Sequence, residues 1–221
     1  ADVLEAAGVK LDISPEQVTQ CVNELGVGFM FALMHHSAMR HVSLARKELG
    51  MRTVFNILGP MANPAGLTRQ LIGVYDRVLC RPIAEVLLRL GSEHVMVVHS
   101  EDGLDEISLA ADTHVAELKN GEVFEYVLQP EQLGLKCEPL QDLVVDGVEE
   151  SLRLLTAALA GEPDERSRRA AHLIALNAGA ALYVAGITDT VKAGVELANT
   201  TLSSGAGLRK LQQLAAMTRD F

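Results

Sequence analysis

The segment Val95-Met96-Val97-Val98-His99-Ser100-Glu101-Asp102-Gly103-Leu104-Asp105-Glu106 decides the fold, because a fully apolar run passes directly into four carboxylates around one glycine. The apolar run predicts a strand buried on both faces, as parallel strands are. Ligands of open α/β sheets bind beyond the carboxyl ends of strands, and adjacent carboxylates there suit Mg²⁺ that carries phosphate groups. A solvated acidic turn is the alternative that the pattern leaves open.

Apolar runs alternate with helical patterns on both sides of this segment. Residues 71–75 predict another strand, and residues 82–90 predict a helix between the two strands. This order favours a crossover unit. Further predictions are a helix from Ser14 to Gly26, a strand at 28–33, a hairpin at 115–127 with a type I′ turn at Asn120-Gly121, and helices beyond residue 150. We therefore expect an α/β fold with a mainly parallel central sheet, flanking helices and an antiparallel hairpin.

A stretch of small residues interrupts the helical pattern near the end of the chain. Asn177-Ala178-Gly179-Ala180-Ala181 has no bulky side chain, so its backbone can approach a neighbouring element closely. Close helix packing is the favoured interpretation, ahead of a ligand site.

Composition excludes several classes of function. The net charge of -10 over 221 residues argues against coating nucleic acid, which requires Lys and Arg to neutralise phosphates. No run approaches the roughly 18 to 20 apolar residues of a membrane helix. The three cysteines are far apart and match no zinc spacing, so we expect reduced thiols and a cytoplasmic location. The start without Met, in what reads as a helix, raises the possibility of a longer protein.

A second candidate site is a basic helical segment that begins near His35. His35 and His36 are adjacent and point about 100° apart on a helix, which disfavours zinc binding by the two. Arg46 follows His36 by ten residues, close to three turns, so an unbroken helix brings both to one side. Such a pair suits a carboxylate, with the guanidinium donating two hydrogen bonds.

Together these residues resemble the anthranilate phosphoribosyltransferase family of the nucleoside phosphorylase/phosphoribosyltransferase superfamily. The most specific blocks are Glu48-Leu49-Gly50-Met51-Arg52-Thr53-Val54-Phe55-Asn56-Ile57-Leu58-Gly59-Pro60 and residues 102–106, and the resemblance covers nearly the whole chain. It implies transfer of phosphoribose from phosphoribosyl pyrophosphate (PRPP) to the amino group of anthranilate, with release of pyrophosphate, in tryptophan biosynthesis.

The resemblance also implies roles for individual residues. Asp105 and Glu106 match Mg²⁺ ligands, Arg46 matches the arginine that binds the anthranilate carboxylate, and His36 and Gly59 match residues that line the acceptor pocket. No residue is assigned as a general acid or base. The implied partners are the two small-molecule substrates and a second copy in a homodimer, with no nucleic acid and no membrane. Residues 1–33 and 61–221 would form the α/β domain, and residues 34–60 would contribute to a small helical domain.

The chain departs from the family in three places. Ser37 stands where proline is usual, and Leu44-Ala45 stands where a proline or glycine and a small residue are usual. The Gly-Thr-Gly-Gly-Asp and Lys-His-Gly-Asn-Arg segments that hold PRPP in the family are missing from these 221 residues, so we expect the chain alone to be inactive. A pyrimidine nucleoside phosphorylase-like enzyme and a non-enzymatic relative that binds nucleic acid are the alternative functions.

Overall fold

The computed structural model of the protein describes residues 1–35, 59, 61, 63 and 65–221. In chain order the elements are α1 (Asp2–Ala6), α2 (Pro15–Leu25), α3 (Ala32–His35), β1 (Arg69–Gly73), a 3₁₀ turn (Arg77–Leu79), α4 (Cys80–Arg89), β2 (His94–Ser100), β3 (Thr113–Lys119), β4 (Glu122–Leu128), two 3₁₀ turns (Pro130–Leu133 and Gln141–Leu143), α5 (Val148–Ala160), α6 (Glu165–Val184), α7 (Val191–Ser203) and α8 (Ala206–Arg219).

The four strands form one sheet in the order β1-β2-β3-β4. Strands β1 and β2 are parallel and joined through α4, which confirms the α/β fold and the crossover unit. The strand directions differ from the expected mainly parallel sheet, because β2–β3 and β3–β4 are both antiparallel. Residues 101–112 join β2 to β3 without a helix, whereas a parallel return across a sheet needs a crossover.

The hairpin of β3 and β4 confirms the sequence prediction. Its two turn residues, Asn120 and Gly121, have φ of 54° and 79°. A type I′ turn requires positive φ at both central positions, and Asn-Gly adopts that conformation most readily.

Strand β2 is buried on both faces, as its apolar run predicts. Val95 and Val97 pack with residues of α4, such as Leu87, in one core cluster. Met96 and Val98 pack in the other core cluster with residues of α6 and α7, namely Ala175, Leu176, Ala180, Val184, Val191, Val195, Ala198 and Leu202. Burying a side chain of this size contributes about 1.5–3 kcal/mol, so β2 anchors the sheet and the loop that follows it.

The strand predicted at 28–33 was wrong. Its last part is the short helix α3, and the part before it lies against α2, where a Cβ on Gly28 would be 3.0 Å from Val18 Cγ1. Met30 packs on the cluster that α1, α2 and α8 form around residues such as Cys21. A short apolar run does not by itself distinguish a strand from buried coil or helix. Helices α1, α2 and α8, rather than strands, surround the run at residues 28–33.

Helices fill the chain beyond residue 150, which confirms that prediction. Helix α6 begins at the N-cap Asp164, whose side chain accepts a hydrogen bond from Ser167 N–H at 3.0 Å. The small residues of α6 pack closely on α7, since a Cβ on Gly179 would lie 2.4 Å from Val195 N. Helix α6 therefore contacts β1 and β2 along one face and α7 along another.

Two further findings concern the helices and the predicted division into domains. None of the helices that the structure describes is both long and apolar enough to cross a membrane. The division into an α/β domain and a helical excursion at 34–60 stays a prediction, because residues 36–58 lie outside the described residues.

Candidate functional site

The acidic loop, residues 101–106, follows β2 directly and is held at its base by backbone hydrogen bonds. Gly103 N–H donates to the Ser100 carbonyl, and Ser100 N–H donates to the Leu104 carbonyl, both at 3.0 Å. Gly103 has φ of +90°, a backbone conformation that residues other than glycine rarely adopt. The loop thus lies at the carboxyl end of β2, where the sequence predicted it.

Asp102 is used to build the loop. Its Oδ1 accepts from Leu104 N–H at 3.2 Å, and its Oδ2 accepts from the hydroxyl of Ser108, which is fully buried. Such a side chain that bonds its own backbone two residues on forms an Asx turn. This carboxylate therefore has a structural role.

Asp105 and Glu106 have the opposite character. Asp105 is half-buried and Glu106 is exposed, and neither carboxylate makes a hydrogen bond or ion pair with any residue that the structure describes. Their backbone nonetheless packs closely against β1. A Cβ built on Gly73 would lie only 2.1 Å from the Asp105 carbonyl oxygen, so only glycine leaves room for this contact. Within the described part of the chain these two carboxylates are therefore unpaired, on a backbone that β1 holds.

The donor set fits Mg²⁺ that arrives with a phosphorylated ligand. Within residues 1–35, 59, 61, 63 and 65–221, no three His, Cys, Asp or Glu side chains come together to enclose a metal. Mg²⁺ commonly keeps several waters and takes one or two carboxylates plus substrate phosphates. Asp105 and Glu106 match that requirement in kind and in number.

Asn177 of α6 also contacts the loop, although the sequence indicated only close packing there. Its Oδ1 accepts from Ile107 N–H and its Nδ2 donates to the Ile107 carbonyl, each at 3.0 Å. Asparagine is a poor helix former, so its presence inside a long helix was the one signal of this role in the sequence.

His99 lies beside the loop on β2. Its Nδ1 is 2.8 Å from the Val74 carbonyl, which can only accept, so Nδ1 carries the proton. The bond joins β2 to the residue just beyond β1 and supports the same edge of the sheet.

The residues predicted to bind anthranilate lie mostly outside the part of the chain that the structure describes. His36 and Arg46 lie outside the described residues, so the structure does not place them beside Asp105 and Glu106. Gly59 is described as helical and half-buried, and no described atom lies within 4 Å of a Cβ built on it. The three residues stay a prediction.

A polar network lies at the opposite end of the sheet from the loop, around the buried Glu117 of β3. Its carboxylate accepts from His94 Nε2 at 2.8 Å, Tyr183 OH at 2.8 Å and Tyr126 OH at 2.7 Å. Lys119 Nζ donates to Tyr183 OH at 2.9 Å. Burial raises the pKa of both tyrosines, which keeps their hydroxyls protonated as donors. A charge with this many partners is structural rather than available.

A third polar group surrounds Glu138 near the start of α6. Arg168 and Arg169 lie 3.6 and 3.9 Å from Glu138 Oε1, and Arg169 also pairs with Asp142 and, at 2.8 Å, with Glu165. The hydrogen bond that Arg169 donates to the Asp142 carboxylate raises the pKa of the guanidinium further. Arg169 is already neutralised by carboxylates, so it offers little to an anionic substrate.

The protein has an α/β fold with an acidic loop at the carboxyl end of a strand, which is the edge where open α/β sheets commonly bind ligands. A family model described as "Glycosyl transferase family, a/b domain" matches residues 1–208. The chain belongs to this family.

The chain is also similar to individual proteins in sequence and in structure. Over all 221 residues the chain is 58% identical to an anthranilate phosphoribosyltransferase of Marinobacter nauticus and covers 65% of it. A crystal structure of anthranilate phosphoribosyltransferase from Thermus thermophilus is similar with a TM-score of 0.87 at 44% identity, over 99% of this chain and 64% of that one. The Saccharomyces cerevisiae enzyme in complex with PRPP and Mg is similar with a TM-score of 0.86 at 26% identity, over 100% of this chain and 62% of that one. The chain therefore spans somewhat under two thirds of these relatives.

Proposed function

We propose that this chain is the metal-binding and acceptor-side part of an anthranilate phosphoribosyltransferase. The reaction transfers phosphoribose from PRPP to the amino group of anthranilate in tryptophan biosynthesis. The bond from the anomeric carbon to pyrophosphate breaks, a bond to the anthranilate nitrogen forms, and that nitrogen loses a proton. The observation that carries the proposal is the pair Asp105 and Glu106, whose carboxylates have no partner among the described residues at the carboxyl end of β2.

The charges of the reaction explain why such a pair is needed. Pyrophosphate leaves with high negative charge, and stabilising that charge lowers the barrier more than a strong base does, because the aromatic amine is already a neutral nucleophile. Bound Mg²⁺ would supply this stabilisation at the leaving group. Asp105 and Glu106 would hold it, and the contact of Asp105 with Gly73 would keep the loop in position.

Relatives support both substrates. The Saccharomyces cerevisiae structure contains PRPP and Mg, and the Marinobacter nauticus relative is named for anthranilate. On the acceptor side we propose that Arg46 binds the anthranilate carboxylate and that His36 and Gly59 line the pocket around the ring. A bidentate contact from a guanidinium is worth about 1.5–3 kcal/mol.

A cytoplasmic homodimer is part of the proposal. The family resemblance supports the dimer. Cys21 and Cys80 are free and buried, and burial raises the pKa of the Cys80 thiol to about 11. Unpaired thiols are usual in a reducing compartment.

The test uses an extended protein, in which this chain follows the N-terminal segment of the Marinobacter nauticus relative. With PRPP and Mg²⁺ it should consume anthranilate, measured as loss of anthranilate fluorescence, whereas the 221 residues alone should not. Phosphorolysis of thymidine or uridine by the extended protein, without use of anthranilate, would contradict the proposal.

Arg46→Ala in the extended protein tests the acceptor side. It should lower kcat/KM for anthranilate by roughly 10- to 150-fold, the equivalent of 1.5–3 kcal/mol, and change the KM for PRPP little. Lys47→Ala is the control, because it removes the neighbouring basic side chain, which is not predicted to bind anthranilate. Equal losses for both substrates would assign Arg46 to folding instead.

A further inference from the structure

We propose that Asn177 is a positioning residue that places Asp105 and Glu106 through the backbone of Ile107. The inference rests on the proposed function of those two carboxylates, and it adds a residue that contacts neither substrate nor metal.

Both polar atoms of the Asn177 carboxamide make hydrogen bonds to Ile107. Asn177 Oδ1 accepts from Ile107 N–H and Nδ2 donates to the Ile107 carbonyl, each at 3.0 Å, while Nδ2 also donates to the Leu173 carbonyl one turn earlier in α6 at 3.1 Å. A carboxamide carries its acceptor and its donor on separate atoms, so it can accept from an N–H and donate to a C=O at once. Leu173 thereby orients the amide, and the amide orients Ile107.

Ile107 is the residue that follows Glu106, and its side chain is 2% exposed in the core cluster between the sheet and α6. On the other side of the pair, the Asp105 carbonyl lies against Gly73 of β1. Residues 105–107 are therefore held from β1 and from α6 at the same time. Removing either contact leaves the acidic pair attached on one side.

The carboxylates depend on this backbone support because the described residues give their side chains no other restraint. Mg²⁺ demands nearly ideal octahedral geometry at about 2.0–2.1 Å, so small displacements of a ligand weaken binding. A partner that orients a ligand without touching the metal is typically worth 10- to 100-fold in metal affinity.

A loss at this position would not come from the helix. Alanine is a better helix former than asparagine, so Asn177→Ala keeps or improves the helix and removes only the amide. Asn199→Ala on α7 is the matched control, because Asn199 is half-buried and its side chain makes no hydrogen bond to the described residues.

The first measurement is the Mg²⁺ dependence of transferase activity in the extended protein. Asn177→Ala should raise the half-saturating Mg²⁺ concentration by roughly 10- to 100-fold and leave the KM for anthranilate within about twofold. Asn199→Ala should behave like the unmodified protein. An unchanged Mg²⁺ requirement, or an equal rise in the KM for anthranilate, would overturn the proposal.

The second measurement is hydrogen exchange of the Ile107 amide in the same extended proteins. It should become faster in Asn177→Ala and stay unchanged in Asn199→Ala, and unchanged exchange in both would overturn the proposal. If the unmodified extended protein shows no transferase activity, the proposed function fails. Faster exchange would then still show that Asn177 holds Ile107.

Discussion

The two ends of the sheet carry acidic groups in opposite states. At one end, the Glu117 carboxylate is 2% exposed and accepts three side-chain hydrogen bonds. At the other end, Asp105 and Glu106 have no partner among the described residues, yet Gly73 and Asn177 hold their backbone. A buried charge must be paired to be tolerated, so full pairing marks a structural group. We propose that the two carboxylates left unpaired on a held backbone form a ligand site.

The same comparison predicts which residues determine stability and which determine activity. The Glu117 network ties β2, β3, β4 and α6 together through His94, Tyr126 and Tyr183. At the acidic loop, the backbone of Asp105 contacts β1 and the backbone of Ile107 is bonded by Asn177 of α6, so the side chains of Asp105 and Glu106 stay free of described partners. Variants at the two ends should therefore affect different measurements.

The largest effect is expected from Glu117→Ala. Removing one member of a buried, hydrogen-bonded charge group leaves its partners unsatisfied and costs about 3–5 kcal/mol. The free energy of unfolding, measured with urea, should fall by that amount. Glu106→Ala is the matched control and should change it by about 0.5 kcal/mol or less. Similar losses at Glu117 and Glu106 would remove the distinction between the two ends.

Asp105→Asn should show the reverse pattern. In the extended protein it should lower kcat/KM by roughly 100-fold, about 2.7 kcal/mol, and raise the Mg²⁺ requirement, because one hard oxygen ligand loses its charge. Its free energy of unfolding should stay close to that of the unmodified protein. An unchanged Mg²⁺ dependence would make the acidic loop a solvated turn.

Alkaline pH should weaken the network end specifically. Burial, followed by the hydrogen bond to Glu117, raises the pKa of Tyr126 above its unfolded value near 10. A raised pKa means that the stabilisation is complete below pH 10 and is lost as the pH rises above it, by up to about 1.4 kcal/mol per pH unit. Urea unfolding between pH 9 and 11 should show this slope, and Tyr126→Phe should reduce it. An unchanged slope in Tyr126→Phe would contradict the assignment.

Gly73→Ala should give a smaller loss of stability that is confined to the loop end. The new Cβ would meet the Asp105 carbonyl at 2.1 Å, so the backbone must shift at a cost of about 1–3 kcal/mol. Gly207→Ala in α8 is the control, since its Cβ would meet leucine side chains, the nearest atom being Leu159 Cδ2 at 3.1 Å. If both variants fold with equal stability and Asp105 keeps its position, the close contact between the Asp105 carbonyl and β1 is not needed to hold the loop.

Local patterns were sufficient for much of the fold. The apolar run of β2, the Asn120-Gly121 turn and the helix from Ser14 to Gly26 each depend on residues close in sequence, and the structure confirms all three. The strand at 28–33 failed because its conformation depends on packing against α2 and α8, which a short apolar run does not specify. The expected direction of most strands failed because it depends on how each connection crosses the sheet.

The candidate site divides in the same way. Asp105 and Glu106 were identified from their position after β2 and from the family resemblance, and the structure places them on a held loop at that position. Asn177 was not identified, because its contact with Ile107 spans 70 residues. Glu117 was not identified either, since its partner Tyr183 lies 66 residues away.

The sequence by itself determined the α/β class, the acidic loop after a buried strand, the hairpin and the C-terminal helices, because each follows from the spacing of neighbouring residues. Only the tertiary structure decided which carboxylates are paired and which are available. Pairing is a property of side chains brought together from distant parts of the chain. Glu117 is paired because folding brings Tyr183 from 66 residues away to its carboxylate, whereas Asp105 and Glu106 have no partner among the described residues.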